Sequence, residues 1–170
     1  HFGNAAVRDA AESRDALARA QRLCVSFVTF PMSQQASPPY RGSCLCGAVK
    51  YEVGGDISFA SHCHCSMCRK AHGAAFGSYG GVKAGKFRYT QGEDSVKTFH
   101  SSPGVTRSFC PQCGSPLTWT STEHPEYVAF TLGTLETPVP MPSGMRHIHV
   151  ASKAPWYEIC DSLPRFDGNG

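Results

Sequence analysis

From residue 40 onward, apolar and polar positions alternate in short runs divided by turn residues. Val49, Tyr51 and Val53 alternate with Lys50 and Glu52, the period-two pattern of a strand with one buried face. Gly54, Gly55 and Asp56 follow and predict a hairpin turn into the next strand. In that strand Ile57, Phe59, Ser61, Cys63 and Cys65 share one parity, and His62 and His64 take the other. Ser66 is placed to cap a short helical turn over 67–72, closed by Gly73. Further strands are predicted at 75–79, 86–90, 95–100, 105–109, 116–120, 126–132 and 147–151. Pro138, Pro140 and Pro142 mark an irregular, exposed connection. No internal repeat of 20–50 residues is visible.

The first forty residues read differently. Residues 5–23 are alanine-rich and favour helix, with Asn4 as a possible N-cap, but their apolar periodicity is weak. Residues 23–30 are apolar but too short to span a bilayer. Asp9, Glu12 and Asp15 sit among the arginines, which argues against a secretory leader. Residues 1–31 are therefore expected to be an extension, added for expression or lying upstream. The other reading is a helix that docks on a neighbouring subunit. Residues 32–40 are expected to be a linker, and 41–167 a single domain.

Composition supports a turn-rich β protein. Of 170 residues, 17 are glycine and 12 proline, and only 17% are charged. The formal charge of +3 assumes neutral thiols. No lysine- or arginine-rich tract is present, so nucleic acid is not an expected partner, and neither is a membrane.

Cysteine usage changes the picture most. Seven of the nine cysteines fall in three clusters: Cys44 and Cys46; Cys63, Cys65 and Cys68; Cys110 and Cys113. An odd total, with neighbours one and two residues apart, suits structural disulfides poorly. The same spacing suits convergence on a soft cation, zinc above all, in a reducing, cytoplasmic compartment. Seven ligands do not fill two tetrahedral sites. Four plus three leaves one metal with an open position, the mark of a catalytic rather than a structural zinc.

CPQCG (110–114) has the form of a zinc knuckle, and CLCG (44–47) is its natural partner, giving a closed structural site. Spacing alone leaves other pairings open. Cys63, Cys65 and Cys68 would supply three ligands without an obvious fourth. His62, His72, His100, His147 and His149 are conceivable ligands, but a lone histidine more often serves as a surface or hydrogen-bonding group. Cys24 and Cys160, being isolated, are expected to be small buried apolar residues. Three thiolates make the metal a weak Lewis acid, better suited to accepting a thiol than to generating hydroxide.

These residues resemble the glutathione-dependent formaldehyde-activating enzyme family, which includes centromere protein V. The likeness runs through GSCLCGAVKY (42–51), CHCSMCRK (63–70), GAAF (73–76) and RSFCPQCGS (107–115), then a tail with His147 and Trp156. The resemblance implies a β-tent zinc-binding fold of small antiparallel sheets. It implies a structural zinc on Cys44, Cys46, Cys110 and Cys113, and a second, open zinc on Cys63, Cys65 and Cys68. It implies a carbon–sulfur lyase that joins glutathione and formaldehyde. For such an enzyme, His64 is a candidate proton relay. Arg69 and Lys70 are candidates for the carboxylates of glutathione, and Phe76 and Trp119 for the pocket wall. The competing reading is a non-catalytic zinc module for protein contacts. A homodimer is compatible with either.

Overall fold

The computed structural model describes residues 37–139 and 142–170. The readings at Asn4, 5–23, 23–30, Cys24 and Pro140 lie outside the described residues. Apart from Glu158–Ser162, the described residues belong to one compact unit.

Ten strands and one α-helix are present among the described residues. In chain order they are β1 (Tyr40–Ser43), β2 (Lys50–Val53), β3 (Phe59–Cys63), α1 (Ser66–His72), β4 (Gly77–Lys83) and β5 (Phe87–Gln91). There follow β6 (Lys97–Ser102), β7 (Val105–Phe109), β8 (Pro116–Ser121), β9 (Tyr127–Thr131) and β10 (Arg146–Ile148). A three-stranded sheet has the order β1-β2-β5. A seven-stranded sheet has the order β10-β3-β4-β9-β8-β7-β6. All pairings are antiparallel except β10 with β3, which sets His147 beside His62 and Ile148 beside Cys63.

The β2 alternation is realised. Val49, Tyr51 and Val53 are buried, and Lys50 is exposed. Their side chains join Tyr40, Val82, Leu117 and Phe130 in the main core, which also contains Cys44 and Cys110. Tyr51 stacks on Phe87 of β5 with ring centroids 5.1 Å apart. A second, smaller core holds Cys63, Cys68, Tyr79 and Ala129, flanked by Phe59, Trp119 and Ile148. Each cysteine centre thus lies against its own apolar cluster.

The strand expected at 147–151 covers only Arg146–Ile148, because His149 takes a positive φ of 56° and Val150–Ser152 form a short 3-10 turn. Other expectations also need correction. Gly54–Asp56 does not close a hairpin. Both edges of β2 are taken, by β1 and β5. Gly54 N–H donates to the Lys86 carbonyl, and Ser58 N–H already donates to Gly81 of the other sheet. The turn therefore passes the chain from one sheet to the next. The strand expected at 75–79 runs over Gly77–Lys83, because Gly80 and Gly81 interrupt the apolar alternation yet are buried. Cys160 is exposed rather than buried.

Candidate functional site

Two turns, each ending in a glycine, build the first centre. In one, Gly47 N–H donates to the Cys44 carbonyl at 2.9 Å; in the other, Gly114 N–H donates to the Cys110 carbonyl at 2.8 Å. Both glycines have positive φ, 74° and 75°, a conformation costly for a side-chain-bearing residue. Val49 N–H points at Cys44 Sγ, 3.3 Å away. Ser115, which the sequence reading passed over, joins the two turns. Its Oγ accepts from Leu45 N–H at 2.9 Å and lies 3.3 Å from Cys113 Sγ. The Ser115 hydroxyl, then its backbone, hold the Cys113 thiol well below the usual range, at about 5.

The sulfurs of Cys44, Cys46, Cys110 and Cys113 all lie within 4.8 Å of one another. A tetrahedral ion with sulfur ligands at about 2.3 Å sets those sulfurs about 3.8 Å apart. Cys44 and Cys46 Sγ are 3.5 Å apart, and Cys46 and Cys110 Sγ are 3.8 Å apart. The donor set fits a metal ion.

The second centre forms where β3 runs into α1. Cys63 ends the strand. Cys65 caps the helix, its Sγ accepting from Cys68 N–H at 3.3 Å. Cys68 lies on the buried side of the first turn. The cap is thus Cys65, one residue before the expected Ser66, because the sulfur that caps also turns toward its neighbours. Gly73 closes α1 in the left-handed conformation. Hydrogen bonding from Cys63, then Cys68, drives the Cys65 thiol strongly down, and Cys63 is driven up by its bond to Cys65. Thiols this close cannot all ionise together without a cation among them. The three sulfurs lie within 4.8 Å of one another, and no fourth histidine, cysteine or carboxylate joins them among the described residues.

A hydrogen-bonded chain leads away from Cys68. Arg107 Nη2 donates to Cys68 Sγ at 3.5 Å, and Nη1 donates to the Tyr79 hydroxyl at 2.9 Å. Arg107 Nε donates to Ser101 Oγ at 3.1 Å. The Tyr79 hydroxyl is also 2.8 Å from His72 Nε2. Gly77 makes room for this, since a Cβ there would come within 2.8 Å of both the His72 and Tyr79 rings. The residues come from α1, β4, β6 and β7, and strand parity carries no signal of their meeting.

Burial, with the Arg107 charge adding to it, pushes His72 below the ordinary histidine value. The unfolded chain then takes up the proton more readily than the folded one. The His72 contribution to stability is complete above the ordinary value of about 6.5 and is lost as pH falls below it. Denaturant unfolding at about pH 7.5 and about pH 5.5 is expected to show a smaller acid loss for His72→Gln than for the unsubstituted protein. An equal loss in both would place the acid sensitivity elsewhere.

The other face of β3 carries a histidine layer. His64 is fully buried, with Nε2 2.8 Å from His147 Nδ1. His62 Nδ1 lies 2.9 Å from Ser78 Oγ. Phe76 packs against His62 and His64 with centroids 4.5 and 5.2 Å away. Trp119 lies half-buried against the smaller core. Arg69 is committed to backbone, donating to the His64 carbonyl at 3.2 Å and the Ser152 carbonyl at 3.3 Å. Lys70 is exposed on α1. A cleft of about 210 Å³ is lined by Tyr79, Phe99, Arg107, Phe109 and neighbouring residues, and reaches Gly114 beside the first centre; Cys63, Cys65 and Cys68 are not in its lining, and Arg107 is what links it to Cys68. Phe76, Trp119, Arg69 and Lys70 are not in its lining.

The sheets and the two sulfur centres define a β-tent protein equipped to hold two metal ions. The chain belongs to the glutathione-dependent formaldehyde-activating enzyme family, whose profile matches residues 39–152. A protein of Halomonas elongata named "Putative glutathione-dependent formaldehyde-activating enzyme" is 30% identical over 127 residues, covering 69% of this chain and 79% of that protein. A crystal structure of a Rhodobacter sphaeroides protein superposes with a TM-score of 0.52 at 23% identity. It covers 62% of this chain and 97% of its own, a likeness of fold. No described helix is long and apolar enough to cross a membrane.

Proposed function

We propose that residues 41–167 form a zinc-dependent carbon–sulfur lyase domain that joins a glutathione-like thiol to a small aldehyde such as formaldehyde, or releases it. The observation that carries this reading is the centre of Cys63, Cys65 and Cys68, whose sulfurs converge without a fourth protein ligand among the described residues. Cys44, Cys46, Cys110 and Cys113 would hold a structural zinc, and Cys63, Cys65 and Cys68 would hold a second. Bound there, the second ion would supply a coordination position that favours the thiolate form of a substrate thiol.

The chain's own residues do the rest. The β3–α1 junction fixes the three sulfurs, and Arg107 holds Cys68 from the cleft side. His64 and His147 lock β10 to the end of β3 behind the centre. In the reaction a sulfur–carbon bond forms, the carbonyl π bond breaks, and the thiol proton ends on oxygen. A reducing, cytoplasmic compartment suits cysteines that carry no disulfide in the described residues.

The test is exchange NMR of glutathione with formaldehyde. The zinc-loaded protein is expected to accelerate formation of the S-hydroxymethyl adduct, and chelator-treated protein to lose that effect. Two tightly bound zinc ions without acceleration by the loaded protein would favour the binding-module reading.

A further inference from the structure

Resting on that reading, we propose that Arg107 is a positioning residue of the Cys63, Cys65 and Cys68 centre, whose guanidinium offsets the negative charge that a substrate thiolate adds there. Three thiolates and a divalent ion carry a net negative charge, and a fourth thiolate doubles it. Cys63 and Cys68 are 6% and 5% exposed, so water does little of the screening. A centre buried in this way needs a nearby cation to accept that charge.

Arg107 is placed to do this. Its guanidinium is half-buried, and each of its nitrogens is tied down: Nε to Ser101 Oγ, Nη1 to the Tyr79 hydroxyl and Nη2 to Cys68 Sγ. None of those partners is a carboxylate, and Arg107 makes no ion pair among the described residues. A guanidinium drawn in from water is ordinarily matched by an acid. Here the matching charge is sulfur. The Tyr79 hydroxyl, itself 2.8 Å from His72 Nε2, braces the guanidinium from β4. The two cations that follow Cys68 in the chain are placed otherwise. Arg69 donates to the His64 and Ser152 carbonyls, and Lys70 is exposed on α1. Arginine also keeps its charge at every working pH, so the compensation is always present. Because the charge acts on sulfur, it serves any thiol, whether or not that thiol carries a carboxylate.

The experiment uses the cobalt-loaded protein and two thiols, glutathione and the uncharged 2-mercaptoethanol. Affinity and band position are read from the sulfur-to-cobalt transitions, with cobalt content measured on the same samples. Arg107→Gln is expected to hold two cobalt ions yet to weaken both thiols by a similar factor, about tenfold or more. A hydrogen bond to a thiolate lowers the energy of its lone pairs, so its loss should move the thiol-free bands to longer wavelength. Arg107→Lys keeps the charge and is expected to recover most of the affinity. Tyr79→Phe removes only the brace and is expected to weaken both thiols about threefold; it decides the matter if Arg107→Gln gives no cooperative melt. Weakening of glutathione alone would make Arg107 a carboxylate anchor and overturns the proposal. So does Arg107→Lys binding as weakly as Arg107→Gln. Unchanged affinity in Arg107→Gln, or in Tyr79→Phe where that variant decides, overturns it too, while thiol binding by the unsubstituted protein still supports the open centre. If neither thiol moves the bands of the unsubstituted protein, the open-centre reading falls and this proposal falls with it.

Discussion

Replacing Cys68 with serine is expected to abolish measurable thiol-dependent turnover while leaving the protein folded. Outer-shell changes around a metal typically cost about 10–100-fold in affinity or activity. Cys68 is one of three sulfurs and the one bonded to Arg107, so its loss removes a ligand and frees the guanidinium in one step. A hydroxyl is a poor ligand for a soft ion at neutral pH, so the remaining pair, Cys63 and Cys65, would hold metal weakly. The fold has less at stake. The ligands of this centre span only residues 63–68, and α1 is also fixed by Arg69 to backbone and by the Gly73 cap. Metal content should fall from two ions to one, with the melting transition still cooperative. The checks are metal analysis, adduct-formation kinetics and a thermal melt on the same preparation. Turnover within about tenfold of the unsubstituted protein would take this centre out of the chemistry.

The cysteine pattern made both centres legible because ligand geometry at spacings of one and two residues is a local matter. Glycine after Cys46 and Cys113 likewise announced turns that need positive φ, and both have it. Strand parity separated the Cys63 face from the His62 and His64 face. What stayed hidden depends on which strands become neighbours. Tyr79 faces Thr131 on β9, and Arg107 faces Trp119 on β8. Nothing in either local sequence says that these two side chains will meet over Cys68. The parallel pairing that brings His147 to His64 is equally non-local. The Gly54–Asp56 turn misled for a related reason: turn residues report a change of direction, not whether the next strand pairs with the last. Arg69 follows the third ligand of its cluster and reads as a cation for substrate, yet helix geometry turns it back onto the His64 carbonyl. Ser115 had a signal after all, since a hydroxyl just beyond a knuckle glycine sits within reach of the last thiol.

The opposite outcome is expected at the first centre, where Cys110→Ser should prevent stable folding. Cys110 is fully buried in the main core with Cys44, Val49 and Leu117. Its centre ties the turn after β1 to the turn after β7, so a single ion would clamp chain segments more than sixty residues apart. Structural zinc contributes about 10–16 kcal/mol of apparent binding free energy in small domains, against a net stability of about 5–15 kcal/mol for a typical protein. A three-ligand remnant retains only part of that, and the serine hydroxyl is left in an apolar setting at a further cost of about 1–3 kcal/mol. These terms together exceed the margin. Serine at Cys46 is a milder change, because that side chain is exposed and water can replace the missing ligand. The comparison is soluble yield and calorimetric melting of both variants with zinc in the buffer. The expected order of stability is unsubstituted protein, then Cys46→Ser, with no cooperative transition for Cys110→Ser. If Cys110→Ser melts within a few degrees of the unsubstituted protein, the four-sulfur centre does not hold the two sheets together, and the apolar core around Tyr51, Leu117 and Phe130 must suffice by itself.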